Sequence, residues 1–568
     1  MQINFLGGSY KSRSTVVNRQ ELVNWFLDYY GPKEDAKTLK ALIPTPGLKY
    51  MQQFAVDGGC RGMYTTSSGR LFVVYGNKLI EVKSNGTYVE SGELLTTVGM
   101  VSMSDNGEDV ASGRGLIMVD GTYGYIFNLM SSDFNQITDP AFVPCTHVVF
   151  LDGYFIINEK NSGRIWVSNI YNGLIWGNVS LTTSSATNIT VAEGTLTLTV
   201  GTGLSFTDIT TVIVANTYAT LIGVPNAYNA TTGELTLYVN EVRGEGTYSS
   251  WIVQGYIGSL SYATAESSPD NIVALHSIHG ELWIVGDQST EVWYNSGAAD
   301  FPFARIHGAI SNNGTVAPYS VQNNGSNLFW LGSSAQGYGQ IWSSNGYQPK
   351  KISTPSIDYM VEQLSTIEDA VGWCYTAEGH NFYCLSFIAG NKTLCYDLTT
   401  DEWHERAYWN PLTSSFEAHR VICAAFAHGR NYVGDRSYPR IYELSLDTYT
   451  DNGEIVRRVR TGPHIHQDRC RLFHKEFEID IERGIGLDGD VQGSEPMAML
   501  QWSDDGGFTF SNETWRSFGR LGEYKRRMVW HRLGMSRDRV YRLTVTDPAK
   551  CILVDARIDI SAEIKQAV

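Results

Sequence analysis

One unit recurs seven times along this chain: a glycine, a short apolar strand, a tight turn, and a second strand ending in a bulky residue. The copies open at Gly69 (GRLFVVYGNKLIEV), Gly115 (GLIMVDGTYGYIFNL), Gly153, Gly280 (GELWIVGDQSTEVWYNSG), Gly325, Gly379 and Gly429. Their starts lie 46, 38, 127, 45, 54 and 50 residues apart. A hairpin repeated at a period of about 40–50 residues is the signature of a β-propeller, whose blades cannot bury their faces alone and so stack radially. The long interval, 153 to 280, leaves roughly 85 residues after one period is removed, which is the size of a small inserted domain. Seven hairpins predict six to seven blades, since one hairpin can belong elsewhere.

Composition agrees with an all-β chain. Gly, Tyr and Trp are plentiful and charged residues make up only 18%. Such a chain supplies positive-φ turns and aromatic strands. The reading by segment is an N-terminal arm at 1–45, a first propeller part at 46–175 and an inserted Ig-like β-sandwich at 176–268. A second propeller part at 269–450 and a C-terminal β domain at 451–568 complete it. Within the arm, TVVNRQELVNWFLDYY reads as one short helix or an extended segment. The insert is Thr-rich with alternating polarity, and no lysine occurs between Lys160 and Lys350. Such alternation with Gly/Asn turns suits a small β-sandwich.

The eight cysteines show no CxxC pair and no metal-ligand spacing, which reads as buried free thiols. The opening residues lack a basic segment followed by an apolar core, and no run approaches about 18 apolar residues. The expectation is therefore neither a secretion signal nor a membrane span. The formal net charge is −16. Tight grip on DNA needs phosphate neutralisation, so firm DNA binding is disfavoured. Charge is uneven: Glu454 to Lys550 carries 17 Lys/Arg against 15 Asp/Glu, leaving −18 for the rest.

Three constellations invite chemistry. Ser503, Asp505, Gly507, Thr509 and Phe510 match an Asp box, in which the carboxylate and glycines settle a hairpin turn over a packed aromatic. The motif occurs in sialidases away from their chemistry, so it argues for a hairpin and not for catalysis. His464 and His466 share a strand face, with Asp468 and His474 near in sequence. A metal site would need a further ligand at a recognisable spacing, and polar surface histidines are the simpler reading. Lys525, Arg526, Arg527, Arg532, Arg537, Arg539 and Arg542 form the densest basic cluster. It is a candidate subunit or partner interface, or a grip on DNA phosphates; internal pairing with acids such as Asp538 and Asp547 is the plain alternative. No GxSxG, Walker A, Rossmann or HExxH motif is present. No catalytic residue, metal or cofactor is assigned.

Two stretches carry a resemblance. The opening has Gly8-Ser9-Tyr10, then Asn18-Arg19-Gln20-Glu21-Leu22-Val23-Asn24-Trp25, then Leu42-Ile43-Pro44-Thr45-Pro46-Gly47-Leu48. The closing stretch has Gln501-Trp502-Ser503-Asp504-Asp505-Gly506-Gly507, then Leu533-Gly534-Met535-Ser536-Arg537-Asp538-Arg539-Val540-Tyr541-Arg542. In this order they resemble the packaged-DNA stabilisation (tail hub or nozzle) proteins of short-tailed phages. The resemblance implies a structural protein of the virion tail, assembled in the host cytoplasm as a homo-hexamer below the portal and its head-to-tail adaptor ring. It further implies partners: a tail needle or plug, a tailspike or tail fibre, and double-stranded DNA touched transiently without sticking. Six copies would carry about −96, a field that repels phosphate over about a Debye length, ~8–10 Å. The insert is a departure from that family pattern. The competing expectation from another class is a propeller glycosidase of sialidase type, or a glycan-binding adhesin; a third keeps the insert, residues 176–268, as a host-surface lectin on an otherwise structural body.

Overall fold

The computed structural model describes residues 3–30, 38–107, 114–176, 179–207, 209–256, 262–265, 270–298, 301–334, 337–467 and 470–562. Strands dominate; the one α-helix among the described residues, Pro355–Glu362, starts on a Thr354 cap and Pro355. The chain forms two compact units, one of Met1–Met63, Lys83–Thr87 and Val316–Val568, the other of Tyr64–Val82 and Tyr88–Thr315.

The seven sequence repeats are the middle hairpins of seven antiparallel blades. The first blade comprises Cys60–Thr65, Leu71–Tyr75, Lys78–Val82 and Tyr88–Glu93. Blades of four strands then run over 102–136, 148–176, 272–311, 322–351, 371–405 and 421–445, the last completed by a strand from elsewhere in the chain. Six repeat glycines (69, 153, 280, 325, 379, 429) have φ between 63° and 91°. Before four of them the preceding residue, Asp152, His279, Glu378 or His428, is also left-handed. Two consecutive positive-φ residues make a type I′ turn, whose twist matches that of its strands. The period is legible because this turn demands glycine.

In the second unit, an inserted module lies between the blades at 148–176 and 272–311. Its strands, in spatial order, are Val179–Ser185, Trp251–Tyr256, Thr211–Ala215, Thr220–Asn229, Glu234–Arg243 and Gly194–Thr199. This sheet curls around its own core of Leu198, Val212, Val214, Leu221, Leu237 and Val253. Threonine side chains link its two edges: Gly201 N–H donates to Thr183 Oγ1 (3.2 Å) and Thr199 N–H to Thr187 Oγ1 (2.9 Å). Ile213, Ala215, Ile222 and Tyr256 join Trp166 and Trp176 of the neighbouring blade in a second core.

In the first unit, the C-terminal residues and the arm build a sandwich together. One sheet orders Arg19–Val23, Arg458–Thr461, Asp538–Val545, Met497–Ser503 and Thr514–Ser517. The other orders Trp25–Tyr29, Lys40–Pro44, Leu553–Ala562, Leu472–Ile481 and Met528–His531. Between them lie Leu22, Trp25, Leu42, Phe477, Leu500, Trp530 and Leu543. The arm is extended at 19–29, so of the two readings of TVVNRQELVNWFLDYY the helix is not adopted. Its tertiary pairings outweigh any local helical preference. Asn24, at φ 58° and buried, is the pivot between the two sheets. Its side chain donates to the carbonyls of Ala407 and Arg457 and accepts from Ala407 N–H, all at 2.9 Å. Asparagine tolerates this conformation and supplies the hydrogen bonds that the bend would otherwise leave unmade. Further on, Gly47–Gln53 pairs with Arg440–Ser445 and so closes the last blade.

Candidate structural and interface site

The Asp box forms the turn after the strand Met497–Ser503. Asp505 accepts from Ser503 Oγ (2.6 Å), Phe508 N–H (3.0 Å), Thr509 N–H (3.0 Å) and Thr509 Oγ1 (2.5 Å). Those donors, led by the Ser503 hydroxyl, hold its carboxyl well below the usual carboxylate range. Gly507 N–H donates to Ser503 Oγ (2.9 Å). With Gly506 and Gly507 at φ 80° and 89°, the turn is fixed locally. A carboxylate so engaged holds a loop.

The hairpin is also docked by the arm. A Cβ on Gly507 would come within 2.5 Å of Arg19 Cγ, and Arg19 Nε donates to Gly507 O (3.3 Å). Glycine at 507 is therefore required both by φ and by close approach. Phe510 lies beneath the Arg542 guanidinium at 3.5 Å from ring centroid, a cation–π contact. Arg542 also donates to Glu21 Oε2 (3.0 Å) and Thr461 Oγ1 (3.2 Å), and Glu21 pairs in turn with Arg19.

The basic cluster separates into three groups. Arg539 is buried, holds Asp504 through two bonds (2.6 and 2.7 Å) and donates to Leu533 O (2.5 Å). Arg539 and Arg542 therefore leave the candidate surface and join the framework. Their acids are Asp504 and Glu21. Asp538 instead faces His464, and Asp547 accepts from Met497 N–H. Arg526 and Arg527 are exposed but paired: Arg527 is bidentate to Glu478 (2.8 and 2.7 Å), and Arg526 lies near Glu495 and Glu523. Lys525, Arg532 and Arg537 are exposed, and among the described residues none has an ion-pair partner.

The histidines do not converge. His464 faces Asp538 with Nδ1 (2.9 Å) and the Thr15 carbonyl with Nε2 (2.9 Å), while His466 is exposed. His474 is buried against Ser536 Oγ (2.8 Å) and the Tyr541 hydroxyl (2.9 Å). Burial, with Arg539 nearby, pushes it down to about 4, so it is neutral near pH 7. Asp468 lies outside the described residues. Among the described residues no group of three or more His, Cys, Asp or Glu is arranged to hold a metal ion. The eight cysteines are free. No helix among the described residues is long and apolar enough to cross a membrane.

A set of buried arginines escaped the sequence reading. Arg460 is fully buried and donates to the carbonyls of Phe5 (2.6 Å) and Gly8 (3.0 Å) and to Gln20 Oε1 (2.7 Å). Burial lowers it to about 9, with Glu402 opposing. Arg458 is likewise buried and reaches the Tyr449 carbonyl (3.1 Å). Arg406 reaches the Pro46 carbonyl (2.6 Å) and lies over Trp373 and Tyr375. Each guanidinium fixes backbone carbonyls that have no side-chain signature, which is why no motif announced them.

The family model described as bacteriophage P22 Gp10, β-propeller, matches residues 1–215 and 244–449. The model described as bacteriophage P22 Gp10, β-sandwich, matches residues 457–561. No curated protein matches. Among solved structures, YCF48 bound to D1 peptide is 10% identical with a TM-score of 0.34, covering 70% of this chain and 97% of its own. The Cps50 (Swd1) β-propeller domain of Myceliophteria thermophila is 10% identical at 0.30, covering 70% and 99%. Dihydro-heme d1 dehydrogenase NirN in complex with DHE is 10% identical at 0.34, covering 84% and 76%.

Proposed function

The chain belongs to the bacteriophage P22 Gp10 family, structural virion tail proteins that stabilise packaged DNA, and from that premise we propose that it acts as a tail hub or nozzle. In this reading six copies form a ring below the portal and its adaptor, continue the DNA channel, retain the genome with a needle or plug, and release it at ejection. The ring also carries tailspikes or fibres. The observation that carries the reading is the family match over both the propeller and the sandwich, in that order along one chain.

Charge supports it. A net charge of −16 per copy gives an acidic ring along which DNA slides without gripping. The cations with no ion-pair partner among the described residues, Lys525, Arg532 and Arg537, with Arg526 and Arg527 beside them, offer the sandwich's basic side to an acidic neighbour, either another copy or the adaptor. Buried arginines and the docked Asp box make that body stiff. A non-enzymatic role fits the family, and Asp505 is engaged in its turn rather than presented to a substrate.

The test is phage assembled without this chain. Heads should fill and then lose their DNA, and native mass measurement of the purified protein with its adaptor should give a six-fold ring. Lys525→Glu with Arg532→Glu and Arg537→Glu should weaken that assembly. A stable monomer in the presence of the adaptor, or glycoside hydrolysis by purified protein, would overturn the proposal.

A further inference from the structure

The inserted module presents an aromatic platform that holding DNA does not need. Tyr218 sits in the turn between Thr211–Ala215 and Thr220–Asn229 and is 72% exposed. Its ring stacks on Tyr248 at 5.6 Å between centroids and 15° between planes. Tyr248 meets Trp251 edge-on at 5.9 Å and 82°, and Trp251 is buried in the module's core. The three rings form a ladder from core to solvent, and the outer ring presents an open face.

The ladder is held rigid from below. Asn216 Oδ1 accepts from Tyr218 N–H (2.7 Å) and Ala219 N–H (2.8 Å), which fixes the turn that presents Tyr218. The Tyr248 hydroxyl donates to the Glu245 carbonyl (2.9 Å), and Trp251 Nε1–H donates to the Tyr248 carbonyl (2.9 Å). A Cβ on Gly246, whose φ is 112°, would lie 2.9 Å from the Tyr248 hydroxyl. Rings ordered in advance lose little entropy when a ligand settles on them.

The surroundings state the ligand's chemistry. Thr217, Thr247, Ser249 and Ser250 are exposed around the rings, as is the Glu245 carboxylate. Thr247 shares a hydroxyl contact of 2.9 Å with Thr190. Lysine is absent between Lys160 and Lys350. The nearby Arg243 is occupied by Glu159 (3.0 Å) and Glu241 (2.9 Å). Among the described residues an anionic ligand finds no free counter-charge here, and a purely apolar one would leave the hydroxyls unused. What fits is a neutral ring with an apolar C–H face and hydroxyls at its rim. Aromatic faces carry negative charge density that attracts polarised C–H groups. The family propeller match also skips 216–243, so Tyr218 and its hairpin lie outside the matched frame.

We propose that Tyr218 and Tyr248 form a binding site for a neutral hexopyranose polysaccharide, with the sugar's C–H face on Tyr218 and its hydroxyls on the surrounding Thr, Ser and Glu245 groups. The site stands apart from the hub reading and survives or fails independently of it.

The experiment uses the full-length protein on immobilised neutral polysaccharides (a glucan, a mannan and a galactan) with alginate as the acidic control. At least one neutral polymer should retain the protein, and added salt should not release it. Tyr218→Ala should weaken retention about tenfold or more, as expected for a central aromatic anchor, while Tyr218→Trp keeps it. Tyr238→Ala, another exposed tyrosine of the same module, should change nothing. Thermal midpoints of the variants should match the parent. No retention on any neutral polymer, retention indifferent to Tyr218→Ala, or preference for alginate would each overturn the site. So would a platform that holds a tail protein and no sugar.

Discussion

The C-terminal sandwich and the inserted module are both small β bodies, yet they are held together by different physics. In the sandwich, buried guanidiniums reach across the sequence: Arg460 bonds residues 5, 8 and 20, and Arg542 bonds residue 21. In the module, partners are close in the chain, the core is mainly aliphatic with Phe206 and Trp251 among it, and threonine hydroxyls join the edges. A buried ion or polar group contributes specificity when every donor finds an acceptor, and is costly when one is lost. Aliphatic packing degrades more gradually. The first region is built for one arrangement of distant segments. The second tolerates change, which suits a part whose hairpin 216–243 falls outside the family match.

The contrast can be broken most directly at Arg460. Arg460→Met strips the donors from the Phe5 and Gly8 carbonyls and should cost about 3–5 kcal/mol. Hydrogen exchange should show protection lost across residues 5–23 while the inserted module stays protected. The mirror experiment is Leu237→Ala, which opens a cavity in the module's core. It should cost about 2–4 kcal/mol, with exchange rising in 179–256 and the arm unmoved. If either variant loosens both regions equally, the two are not separately held.

Acid–base behaviour sharpens the same contrast. His380 is buried between Asp397 (2.7 Å) and Asp28 of the arm (3.2 Å). Burial alone would lower it, but the two carboxylates outweigh burial and its pKa is raised. The charged form is thus favoured on folding, and its contribution is present in full below the ordinary histidine value, about 6.5. That contribution is lost as pH rises through the raised folded value. The stability difference between the parent and His380→Gln should therefore shrink as pH rises above neutrality, measured by denaturant unfolding. The smallest effect is expected at Asp505→Asn. Its depressed carboxyl pKa means that the turn keeps its charge far into acid. The variant should speed exchange of the Phe508 and Thr509 amides with little change in thermal midpoint.

What the sequence disclosed follows from which interactions leave a residue signature. Positive-φ turns favour glycine, and six of the seven repeat glycines mark such a turn, so the hairpins were countable, and the Asp box was readable from its spacing. Backbone recognition leaves no such mark. The Arg460 and Arg406 carbonyl clamps were invisible, and Arg539 and Arg542 looked like a surface patch because charge alone does not state burial. The fourth strand of the last blade was hidden for a further reason: Gly47–Gln53 pairs with residues 440–445, and strand alternation says nothing about which distant edge a strand will meet. The Asn24 pivot lay in the Asn-Trp pair that carried the family resemblance, but its reason appeared only once Ala407 and Arg457 stood beside it.

The pairing of early strands with late ones also sets a timetable for synthesis. Glu21 meets Thr461, and Leu42 meets Leu553. At a ribosomal pace of ~5–20 residues per second, the arm waits roughly 20–100 s for its mates to emerge. Through that wait its edges are open to wrong neighbours. A chain cut short before Leu553–Ala562 lacks the strand that pairs with both Lys40–Pro44 and Leu472–Ile481, so its sandwich stays unfinished.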